Sequence, residues 1–376
     1  MSNENFVVIY VGAGEINFGS PEGPWNHSLR LEKSYGSRLV ALGIIDPDVA
    51  RSKAQIALKV AAGIEGYSET ASWPTVEAAA EKVGTNKVSL IIVGAPPHFR
   101  GGTTSKTNLD LRLLTAFPQT KNWLIEKPIS AVELSDIAGQ ETVLNAYQEC
   151  GTPVGVGYML RALKAVRVIQ EIIREKALVV MGTQARYYMA YEFARKPAWW
   201  NKQASCGPIV EQATHLISLS LFFGGKPILP SVRTHTVEHT DAPGKLSKLG
   251  FDEATIPPEC RIPRYTSSIW TYEKGAVGSL VHVVGLHGNT YDTEFEVLCD
   301  GYTFKLVDMY SSAPRLFTRR PEMGAEVELT IFKDDDPFQT QIDALIAGKP
   351  YCSYEDALET YALTWAIRNA GEKERA

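Results

Sequence analysis

The sequence predicts two domains of different class. Residues 1–157 are expected to form an α/β domain with a doubly wound parallel sheet, and residues 158–376 an α+β domain with a large, mostly antiparallel open sheet. A chain of 376 residues is longer than one ordinary hydrophobic core organises. Continuous apolar runs alternate with helical patterns in the first part, which is typical of βαβ units. Beyond it, apolar and polar residues alternate and hairpin turns occur.

The N-terminal domain is predicted from five apolar runs, which are typical of parallel strands buried on both faces. These runs occupy residues 5–14, 37–46, 88–97, 122–130 and 152–160. The helical patterns between them occupy residues 47–63, 75–84, 108–117 and 130–150. The helix after the first strand is expected to begin late, near His27, because a long loop separates it from the glycines.

The C-terminal domain is predicted from alternating strands and four helices. Strand patterns occupy residues 178–191, 267–285, 291–308 and 325–333. Turn signals at Lys274-Gly275 and Asp300-Gly301 indicate hairpins. The helices are expected at residues 160–177, 210–223, 336–348 and 354–370.

Composition excludes several classes of protein. A net charge of −5 without a Lys/Arg cluster argues against a nucleic-acid partner. The start lacks the basic region of a signal peptide, and no apolar run reaches the roughly 20 residues that span a bilayer. Five scattered cysteines without a CxxC pair indicate neither disulfides nor a zinc site, so we expect a cytoplasmic protein without a metal.

A glycine-rich turn follows the first strand. Gly12 permits a tight turn, and Gly14, followed by Glu15 and Ile16, would let the backbone approach a pyrophosphate. Asn17 stands where the Rossmann fingerprint has its third glycine. Asp46 ends the second strand, 34 residues after Gly12, whereas the usual spacing is about 20. A carboxylate there would bind ribose hydroxyls and repel a 2′-phosphate, which favours NAD over NADP.

Two further strand ends carry candidate site residues, because open α/β sheets bind ligands at the carboxyl ends of their strands. Ala95 and Pro96 follow one strand, with His98 close behind. Glu126 and Lys127 end another, just before a proline. A lysine in this place would point toward a nicotinamide.

On these motifs the chain resembles the glucose–fructose oxidoreductase/inositol dehydrogenase/MocA family. The resemblance covers essentially the whole length. It rests on "VGAG", Asp46, "APP", "EKP", "VGYMLR" and "GPIVEQATHLISL". It implies a Rossmann domain followed by an α+β domain whose open sheet mediates homo-oligomerisation. It also implies NAD- or NADP-dependent chemistry on a sugar, polyol or similar small molecule, and a cis Lys127–Pro128 peptide.

The resemblance also assigns roles to individual residues. Lys127 matches the lysine that hydrogen-bonds the reacting oxygen, and His215 matches the general acid/base. Glu211 stands where the family usually has aspartate, and Gly207-Pro208 replaces its glycine pair. On a continuous helix, Glu211 and His215 would share one face and Glu211 could orient the imidazole.

Other side chains are weaker candidates for substrate contacts. Tyr158 and Arg161 lie at the entry to the second domain, and Trp199 and Trp200 precede the His215 helix. Tryptophan faces suit sugar rings, although a core position is the commoner use. His282 and His287 are expected to be structural residues of the large sheet.

Two other functions remain open from the sequence. One is redox-neutral epimerisation, isomerisation or elimination with tightly held NAD. The other is a non-catalytic nucleotide-binding sensor or transcriptional regulator. The joint presence of Lys127, Glu211 and His215 argues against the sensor.

Overall fold

The computed structural model describes residues 4–21, 23–84, 86–133 and 137–373. The chain divides into two compact units, residues 1–159 with 338–357 and residues 160–337 with 358–376. The first unit contains strands β1 (Phe6–Val11), β2 (Leu39–Ile45), β3 (Ala71–Trp73), β4 (Leu90–Val93), β5 (Trp123–Ile125) and β6 (Val154–Val156). Its helices up to residue 159 are α1 (Glu15–Phe18), α2 (His27–Tyr35), α3 (Val49–Ala61), α4 (Val76–Val83), α5 (Leu109–Ala116) and α6 (Ile137–Glu149).

The second unit begins with helices and then forms its sheet. Its helices are α7 (Lys164–Glu175), α8 (Pro197–Trp200), α9 (Lys202–Ser205), α10 (Gly207–Glu211) and α11 (Thr214–Gly224). Its strands are β7 (Val180–Ala190), β8 (Arg233–Val237), β9 (Tyr265–Thr271), β10 (Val277–Leu286), β11 (Asp292–Cys299), β12 (Tyr302–Val307), β13 (Arg315–Arg319) and β14 (Glu328–Ile331). The last two helices of the chain are α12 (Pro337–Ile346) and α13 (Tyr354–Lys373).

The sheet of the first unit has the strand order β3-β2-β1-β4-β5-β6, and every strand pair is parallel. This is the order of the Rossmann fold, so the predicted class is confirmed. Apolar runs form these strands because both faces of the sheet are covered; all four residues of β4 are fully buried. Strand β3 was not predicted, since three residues are too few to give a pattern.

Helix α12 belongs to the first unit, whereas the sequence placed all of residues 158–376 in the second domain. Ile342 and Leu345 on α12 are buried in one apolar cluster with Val8 and Leu124 of the parallel sheet. The segment 338–357 therefore completes the core of the first unit.

The sheet of the second unit has eight strands in the order β14-β13-β12-β11-β7-β10-β9-β8. Only the β7–β10 pair is parallel, which confirms the mostly antiparallel prediction. Buried and more exposed residues alternate along β10, as expected for a sheet with one covered face. Strands β8 and β13 were not predicted, because polar residues dominate both. Exposed apolar side chains such as Met181 and Ile269 lie on this sheet, and self-association there stays a prediction.

Within the described residues, no helix combines the length and the apolar character needed to cross a membrane.

The packing of α12 can be tested by truncating one buried side chain. Ile342→Ala should lower the free energy of unfolding by about 2–5 kcal/mol, because it leaves a cavity in the first unit's core. Asp343→Ala, which changes an exposed residue of the same helix, should cost less than about 0.5 kcal/mol. Urea unfolding followed by circular dichroism measures both changes. Equal effects would contradict this placement of α12.

Candidate functional site

The glycine loop after β1 packs closely against the loop after β4. Gly12 has a φ of 95°, and a Cβ there would lie 3.1 Å from the Ala95 nitrogen. Only glycine accommodates both this backbone conformation and this approach. At Gly14, by contrast, an added Cβ would meet no atom within 4 Å. The loop is therefore tight on the Gly12 side and open on the Gly14 side.

Asp46 braces the glycine loop from the end of β2. Its carboxylate accepts hydrogen bonds from the Ala13 nitrogen at 2.7 Å and from the Asp48 nitrogen at 2.8 Å. The side chain is buried, yet each oxygen keeps a lone pair for a second donor. Asp46 thus has a structural role in this loop, and its contact with a ligand stays a prediction.

The helix predicted to begin near His27 is confirmed, and a short helix that was not predicted precedes it. Helix α1 starts directly after Gly14, with Glu15 exposed and Ile16 half-buried, and α2 follows at His27. Asn17, in the place of the third glycine, is fully buried and donates from Nδ2 to the Gly12 carbonyl at 2.8 Å. Its Oδ1 has no hydrogen-bond partner among the described residues. The asparagine therefore holds the turn that a glycine usually permits.

The Glu126-Lys127-Pro128 turn is fixed by a buried pair. The Glu126 carboxylate lies 2.6 Å from Nε2 of His27, and both side chains are buried. The other carboxylate oxygen accepts a hydrogen bond from the Lys127 nitrogen at 3.3 Å. A Cβ on Gly157 would come within 2.6–2.8 Å of the same carboxylate. The Lys127–Pro128 peptide is cis, as the resemblance implies, and Lys127 is half-buried.

Arg100 ties two of these strand ends together. Its Nε donates to the Ala95 carbonyl at 2.9 Å, and its Nη1 donates to the Glu126 carbonyl. Behind it, Asp110 accepts hydrogen bonds from the Gly101 nitrogen and the Tyr147 hydroxyl, both at 2.7 Å. Burial raises the pKa of Asp110, while the nearby Arg100 charge opposes this shift.

Neither His27 nor Arg100 was singled out from the sequence as a site residue. Each acts on residues distant in the chain, and His27 and Glu126 are 99 positions apart. One local signal was available for His27, because it follows Asn26, whose side chain caps α2 at the Leu29 nitrogen.

The remaining candidates of the first unit differ in exposure. Pro96 and His98 are exposed after β4, whereas Ala95 is buried. Tyr158 is buried, with 1% of its surface exposed. His98 is thus open to a ligand, and Tyr158 offers almost no surface.

In the second unit, the helix predicted over residues 210–223 is interrupted. The nitrogens of Gln212 and Ala213 both donate to the Pro208 carbonyl at 3.0 Å, the second over five residues. Glu211 therefore ends α10, and His215 lies in the first turn of α11. Glu211 and His215 therefore do not lie on one continuous helix, as the prediction assumed, because a π-type turn separates α10 from α11.

A network of aromatic side chains begins beside His215. Its ring centroid lies 6.1 Å from that of Tyr310, which is 6.3 Å from Tyr187. Tyr187 stacks on His282 at 5.2 Å, and the ring nitrogen Nε2 of His282 donates to Gln212 Oε1 at 3.1 Å. Burial, and then the Glu211 charge, raise the pKa of Tyr310. Burial lowers the pKa of His282 to about 3, so this ring is neutral near pH 7 and serves the sheet as predicted.

Two of the weaker candidates, Trp200 and Arg161, are buried in the interior of the second unit. Trp200 is fully buried, and its indole nitrogen donates to the Ala194 carbonyl at 2.7 Å. Arg161 is buried, donates from Nε to Ser218 Oγ at 2.8 Å and lies over the Phe222 ring. Trp200 is therefore a core residue rather than a substrate contact, while Trp199 is half-buried beside it.

These groups allow proton transfer and charge stabilisation. A half-buried lysine can stabilise an alkoxide, and a histidine has an intrinsic pKa suited to reversible proton transfer near neutrality. Within the part of the chain that the structure describes, no group of three or more His, Cys, Asp or Glu residues could hold a metal ion.

Comparisons with known proteins extend over the whole chain. Residues 161–302 match the family model described as "Putative oxidoreductase C terminal domain". Two Schizosaccharomyces pombe proteins are similar at full length. "Uncharacterized protein C12C2.04" is 36% identical over 97% of this chain and 96% of its own. "Uncharacterized protein UNK4.17" is 38% identical over 96% of this chain and 90% of its own.

Solved structures share the fold. Levoglucosan dehydrogenase in complex with NADH superposes with a TM-score of 0.71 at 14% identity, covering 99% of this chain and 98% of that one. KijD10, a 3-ketoreductase from Actinomadura kijaniata solved with NADP, gives 0.67 at 13% identity, covering 98% of each chain. Together with the Glu126-Lys127-Pro128 turn and the Glu211–His215 segment, these matches show that the chain belongs to the glucose–fructose oxidoreductase/inositol dehydrogenase/MocA family of oxidoreductases.

Proposed function

We propose that this protein transfers a hydride between a nicotinamide dinucleotide and a hydroxyl or carbonyl group of a sugar, polyol or similar small molecule. The observation that carries the proposal is the turn at Glu126–Pro128. It places a half-buried lysine at the carboxyl end of a Rossmann strand, and a buried His27–Glu126 pair holds it there. In this fold that edge of the sheet is the ligand-binding edge.

The residues of the first unit fit a dinucleotide. The open space at Gly14 admits a phosphate, and Asp46 keeps lone pairs for ribose hydroxyls. The Asp46 carboxylate would repel a 2′-phosphate, which supports NAD over NADP. The bound nicotinamide ring would accept or supply the hydride.

Lys127 and His215 would divide the remaining chemistry. The Lys127 ammonium would donate a hydrogen bond to the reacting oxygen and stabilise its negative charge. His215 would take the hydroxyl proton during oxidation and return it during reduction. An irregular turn separates Glu211 from the helix that carries His215, so we propose for Glu211 a hydrogen bond to a substrate hydroxyl rather than control of the imidazole.

The surroundings of His215 favour a neutral polyhydroxylated substrate. Tyr310 offers aromatic surface beside His215, and the raised pKa of Tyr310 and of the buried Tyr187 keeps both hydroxyls protonated. Such surfaces suit the apolar faces and hydroxyls of sugar rings. The names of the structural neighbours, a 3-ketoreductase and levoglucosan dehydrogenase, support this substrate class.

Calorimetric titration tests the cofactor. NAD⁺ should bind at least about tenfold more tightly than NADP⁺, since one repelled phosphate readily accounts for ~1.4 kcal/mol. Gly12→Ala should weaken both nucleotides, because its Cβ is forced against the Ala95 backbone. Gly348→Ala, another positive-φ glycine but in the connection after α12, is the control for backbone strain. A wild-type protein that binds neither nucleotide would refute the proposal.

Activity measurements test the two candidate catalytic residues. With a sugar and polyol panel followed at the reduced-nicotinamide absorbance, Lys127→Met and His215→Asn should each lower kcat about 10²–10⁴-fold. Their nucleotide affinities should stay near the wild-type value. Lys121→Met and His287→Asn are the matched controls. Turnover of a substrate without net release of NADH would point instead to redox-neutral chemistry, and unchanged kcat in both variants would exclude these roles.

His27 is expected to position Lys127 through Glu126. His27→Ala should reduce kcat about 10–100-fold, since small displacements of a reacting group have effects of this size. His27→Gln should recover part of the loss, because an amide can still donate to the carboxylate. The nucleotide Kd should change much less than kcat. If kcat fell in both variants only in proportion to a loss of thermal stability, His27 would have a purely structural role.

A further inference from the structure

A polar cavity lies in the connection between β8 and β9. Its volume is about 300 Å³, which is at the lower end of the range for small-molecule sites. Its charged wall residues are Lys245, Glu253, Arg261 and Arg264, which leave a net positive lining. All of them belong to the second unit.

Only part of this charge is compensated within the protein. Arg264 is buried and donates from Nη2 to both carboxylate oxygens of Glu253, at 2.5 and 2.7 Å. The same guanidinium lies over the Trp200 ring, 5.3 Å from its centroid. Arg264 and Glu253 therefore neutralise each other and form a fixed wall, and the excess charge resides on Lys245 and Arg261.

Arg261 is anchored by one hydrogen bond from Nε, which leaves the donors of its terminal nitrogens for a ligand. Its Nε donates to the Ile256 carbonyl at 2.9 Å, while its terminal nitrogens make no hydrogen bond to a described residue. Lys245 uses Nζ for one bond, to the His239 carbonyl at 3.2 Å. A guanidinium anchored in this way presents a fork of donors that matches the oxygens of a phosphate.

His239 also lines the cavity, and its polar atoms lack partners. Both ring nitrogens are hidden from solvent and make no hydrogen bond within the described residues. Burial, and then the Arg261 charge, lower the pKa of His239, so the ring is neutral near pH 7 and has one donor and one acceptor. The ring therefore adds no positive charge to the lining near pH 7.

We propose that this cavity binds the phosphate group of a small molecule through Arg261 and Lys245. The site is additional to the proposed dinucleotide and substrate contacts. The backbone of Arg261 forms an isolated antiparallel β-bridge with Asn201, and the Ile262 nitrogen donates to the Trp200 carbonyl. The cavity wall therefore adjoins helices α8 and α9.

Calorimetric titration at constant ionic strength, with inorganic phosphate and with glucose 6-phosphate, tests the proposal. The wild type should bind at least one of them at a single site. Arg261→Gln and Lys245→Gln should each weaken binding about tenfold, as expected for losing a charge-assisted hydrogen bond. Lys248→Gln is the control, because Lys248 belongs to the same segment but contacts Glu192 and does not line the cavity.

The two ligands separate the possible sources of the phosphate group. Tighter binding of glucose 6-phosphate would assign the cavity to a phosphorylated metabolite, and tighter binding of inorganic phosphate would assign it to the free ion. Lys245 is exposed, so its variant should fold even if Arg261→Gln does not. The proposal fails if neither ligand binds at about 10 mM, if Lys245→Gln binds like Lys248→Gln, or if NAD⁺ displaces the phosphate.

Discussion

A buried carboxylate organises the ligand-binding edge of the first unit. Leaving the Glu126 charge unpaired in the interior would cost several kcal/mol, so its surroundings must supply donors. His27, at the start of α2, and the Lys127 backbone nitrogen supply these donors. Gly157 has no side chain and so leaves space for the carboxylate. One ionisable group thus links β5, β6 and α2. The same arrangement fixes the position of Lys127, the next residue in the chain.

The two units contribute different electrostatic environments. In the first unit, ionisable side chains have fixed partners: Glu126 contacts His27, and Arg100 donates to backbone carbonyls and lies near Asp110. Around His215, by contrast, the groups are mostly neutral: tyrosine hydroxyls, the Gln212 amide and the uncharged His282 ring.

Much of the architecture could be predicted from the sequence, because apolar runs and hairpin turns are local signals. The strands on either side of Gly12 and Lys127 carry such signals. Contacts between distant residues carry none, and so the sequence missed the His27–Glu126 pair and the assignment of α12 to the first unit. The turn after Glu211 was missed for another reason. Gln212 and Ala213 fit a helix, and only the double use of the Pro208 carbonyl reveals the inserted residue.

The position of α12 in the chain also affects how the protein is made. The 159 residues that begin the first unit leave the ribosome long before residue 338, and the whole sheet of the second unit is synthesised in between. At about 5–20 residues per second this interval lasts roughly 10–40 s. Throughout it, the surface that Ile342 and Leu345 will cover stays open. Chaperones therefore have a defined period in which to protect the nascent parallel sheet.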